Sequence, residues 1–338
     1  MPSKCQQRAF PVQVNCLRAR MAGGKAQAMT NASITFDTNV YRNFCGLVVP
    51  TGTWNVSTLI AAEQLRQISA YASPYVIMEL ASHLRDATDP HFEVCRTAIQ
   101  ALYEHCKERT GQLRMVADSE SLIAHMLYGR FPASNAKTSE TLAQLARAVA
   151  LSPSGPLHQS VVKQCAEIGM CIDDGEKNFV ADLAHAVQWL KPNCVGWEPF
   201  SKDKQKRKRA LVIVRSDDMK TGIAATQVIK ARRLLGEKED GPDLEGMANA
   251  VLAHAPVAVA LYRQIVELLI SNGVDISKKE HANWIWDIQI VFGIGEELQC
   301  GLPKLTLITA DKAIARAATE ASVAGSILRL PEYLANLQ

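Results

Sequence analysis

Four short stretches, spread over nearly the whole chain, each place a carboxylate at the edge of an apolar run: Ile34-Thr35-Phe36-Asp37-Thr38-Asn39-Val40, Ser73-Pro74-Tyr75-Val76-Ile77-Met78-Glu79-Leu80, Trp284-Ile285-Trp286-Asp287-Ile288 and Leu305-Thr306-Leu307-Ile308-Thr309-Ala310-Asp311-Lys312. An acid set beside buried strand residues is costly unless something compensates its charge. Several such acids converging on one point make a hard-cation site, and with a phosphate nearby a phosphodiester-cleaving one. The candidate set is therefore Asp37, Glu79, Asp287 and Asp311. Brought together, these carboxylates repel one another and raise each other's pKa values unless Mg²⁺ or Mn²⁺ neutralises them.

The elements that must position these acids can be read from the same stretches. Residues 32–36 form a short, apolar, β-branched run that predicts a buried parallel strand ending at Asp37. A second apolar run, 67–71, leads into Ser73-Pro74, a helix start with serine as cap and proline in the first turn. That helix is expected to run to about Arg85, with further helix over 92–109 and 283–293. A strand over 305–309, a helix over 313–321 and a last strand over 326–330 follow. Strand and helix alternate at both ends, which predicts an α/β sheet with helices on its faces. Aspartates that follow such strands lie at their carboxyl ends, where open α/β sheets bind ligands. The middle, 111–269, breaks this rhythm with Ala/Leu-rich segments at 139–151, 177–190 and 248–270, and reads as a mostly helical insertion; 210–214 is expected to be an isolated strand.

The chain has 338 residues, 48% hydrophobic and 21% charged, with a net charge of +3, so overall charge does not mark it as a nucleic-acid binder. Nine cysteines without a C-x-x-C pair argue for a reduced, cytoplasmic protein rather than a disulfide framework. No apolar run approaches the about 18 residues of a membrane span. The first 30 residues contain Lys4, Arg8, Arg18, Arg20 and Lys25 but no acid, which suits a disordered extension, an organelle leader or a later start at Met21 or Met29.

The order and context of the four acidic motifs resemble the PIN (PilT N-terminal) domain family of metal-dependent ribonucleases. Phe36 to Val40 is similar to the family's first strand and acid, and Ser73 to Leu80 to its second acidic motif. Asp287 with the apolar helix behind it is similar to the third, and Ile308 to Lys312 to the fourth. Leu328 to Leu334 is similar to the family's closing strand and helix. The likeness covers 33–99 and 282–334, under half the chain, and the large central segment departs from it. The resemblance implies a PIN-like α/β/α sandwich over 31–110 and 270–338, interrupted by the insertion at 111–269. It also implies an endoribonuclease whose Asp37 and Asp311 bind Mg²⁺ or Mn²⁺ directly, with Glu79 and Asp287 completing the cluster. Thr309 would support a ligand carboxylate or contact a phosphate, and Asn39 would brace the loop after the first strand. The products would carry a 5′-phosphate and a 3′-hydroxyl. Partners implied are an RNA substrate, with DNA open, and a protein inhibitor such as an antitoxin if the role is that of a toxin or defence effector; self-association is left open.

Each residue also has a plainer reading. Asp37 and Asp311 are both suited to capping a following helix. Glu79 could face solvent, and His83, one turn on, suits a structural histidine better than a ligand. Asp86, Asp173, Asp174, Asp217 and Asp218 read as solvated, turn or helix-start acids. Trp284 and Trp286 read as core, with base stacking as the alternative. Six cations in the eight residues from Lys202 to Arg209, among them Lys204, Lys206, Arg207, Lys208 and Arg209, make either a solvated loop or a phosphate-binding patch. Rival chemistries are a haloacid-dehalogenase-like phosphatase with a helical cap, a structure-specific DNA nuclease and an inactive PIN-like scaffold. The phosphatase wants a second acid two residues after Asp37, where Asn39 stands.

Overall fold

The computed structural model describes residues 32–44, 54–152, 154–190, 200, 203–272, 279–294, 305–322 and 324–338; the acid-free leader and Lys202 lie outside them. Four parallel strands make the sheet: β1 (Ser33–Phe36), β2 (Ser69–Ala70), β3 (Leu305–Thr309) and β4 (Ile327–Arg329), in the order β2-β1-β3-β4. The helices, in chain order, are α1 (Thr38–Phe44), α2 (Val56–Leu65), α3 (Pro74–Ser82), α4 (Phe92–Cys106), α5 (Ser119–Tyr128), α6 (Ala133–Ala150), α7 (Gln159–Leu190), α8 (Lys204–Val214), α9 (Asp217–Leu235), α10 (Leu244–His254), α11 (Pro256–Asn272), α12 (Lys279–Ala282), α13 (Trp284–Phe292), α14 (Lys312–Glu320) and α15 (Leu330–Asn336). The chain is α/β, with a small parallel sheet in a predominantly helical body. Among the described residues no single helix is long and apolar enough to cross a membrane.

Sequence and sheet agree closely where burial is complete. Every residue of β1 and β3 is buried, as strands covered on both faces require. The register pairs Ser33 with Leu305 and Phe36 with Ile308, and the Asp37 amide donates to the Ile308 carbonyl at 3.1 Å. The ends of β1 and β3 therefore lie side by side. On one face of the sheet the Phe36 ring meets Tyr41, Phe44, His105 and Tyr333, drawing α1, α4 and α15 onto that side.

The middle of the chain is helical, as its composition predicts, and packs directly onto the sheet-flanking helices. α7 lies against α3, α6 against α4, and α13 against α3, α5, α7 and α11. One buried apolar cluster runs from Ile34 of β1 through Leu145, Cys165, Val228 and Leu269. The expected strand at 210–214 is instead the second half of α8. Its β-branched residues favour a strand, but Asp203 caps the preceding turn through the amides of Gln205 and Lys206, both at 3.0 Å, and Ala210 and Val214 bury one helical face. The part of the basic run over 204–209 is thus helix rather than loop.

Helix α7 starts 18 residues before the expected Lys177. Asp173-Asp174 read as helix-start or turn acids, yet the helix runs through them, and its Gly169 and Gly175 are places where other side chains lie against it. A Cβ on Gly175 would stand 2.7 Å from the Trp286 ring, and one on Gly169 would stand 2.8 Å from the Arg85 guanidinium. An alanine in a helix interior is ordinarily favoured over glycine by about 1 kcal/mol. At position 175 the rigid indole reverses the sign: Gly175→Ala is expected to destabilise the protein by about 1–3 kcal/mol, as overpacking does. A urea melt of that variant checks it; a gain in stability would show that Trp286 is free to retreat.

Candidate functional site

Asp37 follows β1 and is almost fully buried, with both carboxylate oxygens engaged. One accepts from the Val40 amide at 2.7 Å; the other accepts from the Ala310 amide at 3.1 Å and from the Thr309 hydroxyl. Thr309 Oγ1 in turn accepts from the Asp311 amide at 2.9 Å. This threonine, itself fully buried at the end of β3, locks the two strand ends together and sets the acids' relative positions. Asp37 also turns the chain into α1, so the capping reading and the site reading describe the same geometry. Burial pushes its pKa up to about 6, the Thr309, Val40 and Ala310 hydrogen bonds oppose that rise, and the Asp311 charge adds to it. Asp311 caps α14 through the Ala313 and Ile314 amides with one oxygen.

Glu79 comes from the other side. Ser73 and Pro74 open α3 just after β2, and the helix carries Glu79 back over the sheet's carboxyl edge. Its side chain is half-buried rather than solvated; one oxygen accepts from Thr38 Oγ1 at 2.6 Å and the other lies 3.8 Å from Arg42. Thr38 and Arg42, both on α1, are thus parts of the site that the motif reading missed. Arg42 also lies 3.6 Å from Cys95 Sγ, so the guanidinium bridges α1, α3 and α4.

Asp287 is in the first turn of α13, a helix pinned on several sides. Trp286 packs on Gly175 and donates to Glu176 at 3.3 Å, while Gln289 accepts from Ser119, whose hydroxyl also meets Tyr75 at 2.8 Å. Trp286 is therefore core, as its plainer reading has it, and Trp284 lies against His281. Among the described residues nothing donates a hydrogen bond to Asp287 or pairs with its charge. Its pKa is pushed well above the carboxylate range by burial, then by the charges of Asp311, Glu79 and Asp37. The residue is half-buried. The four acids thus act on one another across the carboxyl edge of the sheet. As the side chains stand, no group of three or more His, Cys, Asp or Glu among the described residues encloses a metal ion.

A carboxyl whose pKa the fold raises costs stability at pH values above its unfolded pKa. Asp287→Asn, which removes the charge and keeps the shape, is expected to raise metal-free stability near neutral pH by about 1–2 kcal/mol. Thermal melts in chelator check it; an unchanged or lowered melting temperature would mean that Asp287 has a compensating partner.

Other expected site residues lie apart. Asn39 is exposed on α1, and its side chain makes no hydrogen bond among the described residues, so the bracing role falls to its neighbour Thr38. His83 faces Asp89 at 3.0 Å and stacks edge-on with His91, which suits a structural histidine. Asp86 is solvated and bonds Thr88; Asp173 pairs with Arg85 at 2.8 Å, Asp174 with Lys177, and Asp217 with Lys220. The basic helix α8 packs on α9 and α11, and α11 lies against both α13 and α14, so the cations are one helix removed from the acids. Lys204, Lys208 and Arg209 are exposed, Arg207 is half-buried, and Lys206 pairs with Asp203 at 3.1 Å. Comparison with protein-family models, curated proteins and solved structures gives no significant match in any of the three.

Proposed function

We propose that the chain is a metal-dependent nuclease of the PIN type, acting on RNA at the acidic carboxyl edge of the sheet. The observation that carries this reading is Asp287: a half-buried carboxylate with no donor or cation of its own among the described residues, its pKa raised by burial and then by the charges of Asp311, Glu79 and Asp37. Oxygen-only donors of this kind suit Mg²⁺ or Mn²⁺. Asp37, Asp311 and Asp287 would hold the ion, with Glu79 joining from α3. A divalent cation bound there would lower the pKa of a bound water and stabilise the leaving oxygen.

The chain's own residues do the rest. Thr309 fixes Asp37 and the Asp311 backbone in one frame, so the acids need not be ordered when substrate arrives. Arg42 holds Glu79 at the cluster's rim, where its guanidinium could also meet a substrate phosphate. The phosphatase alternative wants a second acid two residues after Asp37, and the exposed Asn39 stands there instead.

The test is cleavage of 5′-labelled single-stranded RNA with Mn²⁺ or Mg²⁺. Products ending in a 3′-hydroxyl, lost on chelation, are expected. Chelator-insensitive cleavage, or cyclic-phosphate ends, would point to a metal-free mechanism and reject this one.

A further inference from the structure

A cavity of about 480 Å³ lies between α7, α9, α11 and α13, away from the acidic edge, and nothing in the cleavage chemistry uses it. Its floor is Met219, Ile223 and Gln227 on α9, with Ile285 and Ile288 of α13 opposite. The α9 residues recur at the four-residue spacing of one helical face. Phe179 and Tyr262 form a corner, their rings 6.0 Å apart at 80°. The unusual member is Gln227. It is 5% exposed, and among the described residues its carbonyl oxygen has no hydrogen-bond partner. A buried amide oxygen left unpaired is rare and unfavourable, so its partner is to be sought in what fills the cavity.

We propose that this cavity binds an uncharged nucleoside-type heterocycle, its base edge paired to the Gln227 amide and its ring against the Phe179–Tyr262 corner. A side-chain amide presents a donor and an acceptor side by side, which matches the adjacent N–H and ring nitrogen on one edge of a base such as adenine. The L-shaped aromatic corner lets a flat ring stack on one face and meet the edge of the other. The volume falls in the range of small-molecule sites, about 300–1,000 Å³. Asp182 and Asp218 on the rim outnumber Lys230, which lies 3.9 Å from Asp182. That balance repels a phosphate and suits sugar hydroxyls, so the ligand class is the nucleoside rather than the nucleotide. Ile285 and Ile288 flank Asp287 in α13, so a bound ring would press on the helix that carries that acid.

The experiment is calorimetric titration of adenosine into the full chain, beside AMP and two variants. One adenosine per chain is expected, with weaker binding of AMP and a loss of about tenfold or more in Gln227→Leu. Gly222→Leu carries the test independently of any folding defect in the first variant: a Cβ there meets nothing within 4 Å, and the larger side chain narrows the mouth. It is expected to melt no lower than the wild type and to bind adenosine at least about tenfold more weakly. Absence of adenosine binding at millimolar concentration, equal binding by a folded Gln227→Leu, or tighter binding of AMP would each overturn the proposal. None of these readouts depends on RNA cleavage, so this proposal and the nuclease reading fail separately.

Discussion

Asp37→Asn is expected to reduce metal-dependent RNA cleavage by more than about 100-fold, since even groups that only support metal ligands cost 10–100-fold when lost. The fold should survive, because asparagine keeps an oxygen for the Val40 amide and turns its amide toward Thr309, whose hydroxyl can accept. The Ala310 amide and the Thr309 hydroxyl hydrogen lose the acceptor they share. The same variant gives a second readout through pH. The Asp37 pKa is raised to about 6 by burial, so the folded state prefers the proton more strongly than the unfolded chain does. Its contribution therefore favours the fold below the unfolded value near 3.8 and is lost as pH rises to about 6. Metal-free wild type should lose stability across that window from this group, and Asp37→Asn should not. Melts in chelator at several pH values, alongside the cleavage assay, separate an electrostatic role from misfolding. A variant as active as the wild type would remove Asp37 from the chemistry.

The largest stability effect is expected on the opposite side of Phe36, where Glu63, His105, Tyr333 and Tyr41 form a buried polar chain. His105 Nε2 donates to Glu63 at 2.7 Å, Tyr333 donates to the other Glu63 oxygen at 2.6 Å, and Tyr41 stands 3.0 Å from His105 Nδ1 and 3.3 Å from Cys106 Sγ. Burial pulls the His105 pKa down, but the Glu63 charge and the hydrogen bonds outweigh it and leave the pKa raised to about 10. His105 is thus protonated at neutral pH, and its bond to Glu63 links α2, α4 and α15. Removing one partner leaves the other charge unmatched in the core, at a cost of about 3–5 kcal/mol. Glu63→Leu is expected to fall in that range, and a denaturant melt reads it. Because the folded pKa exceeds the unfolded one, the stabilisation is complete below about pH 6.5 and is lost as pH rises toward about 10. Wild-type stability should therefore decline from neutral pH to pH 10 more steeply than that of His105→Leu. Parallel decline in the two would mean that His105 is not charged in the folded protein.

What the sequence makes legible follows from how local each cause is. β1 and β3 are apolar runs closed by an acid, and they lie side by side as the motif reading supposes. The start of α3 shows in Ser73-Pro74, two adjacent residues. The long α7 is hidden because its glycines serve distant partners, Arg85 and Trp286, which no local pattern reveals. The second half of α8 misleads because β-branched residues favour a strand unless a cap and a buried face decide otherwise. Among the site residues, Asp37, Asp311 and Thr309 are readable from strand ends. Arg42 and Thr38 are not, since their link to Glu79 exists only once α1 packs on α3. The Glu63–His105 pair spans 42 positions and leaves no motif.

The most direct test of the acidic cluster is titration of the full chain with Mn²⁺ near neutral pH, counting bound ions by the electron-spin resonance of free Mn²⁺. Saturable binding of one or two ions, accompanied by a higher melting temperature and lost in Asp37→Asn and Asp287→Asn, is the predicted result. Mn²⁺ that does not bind, or that binds equally well to both variants, would contradict the account.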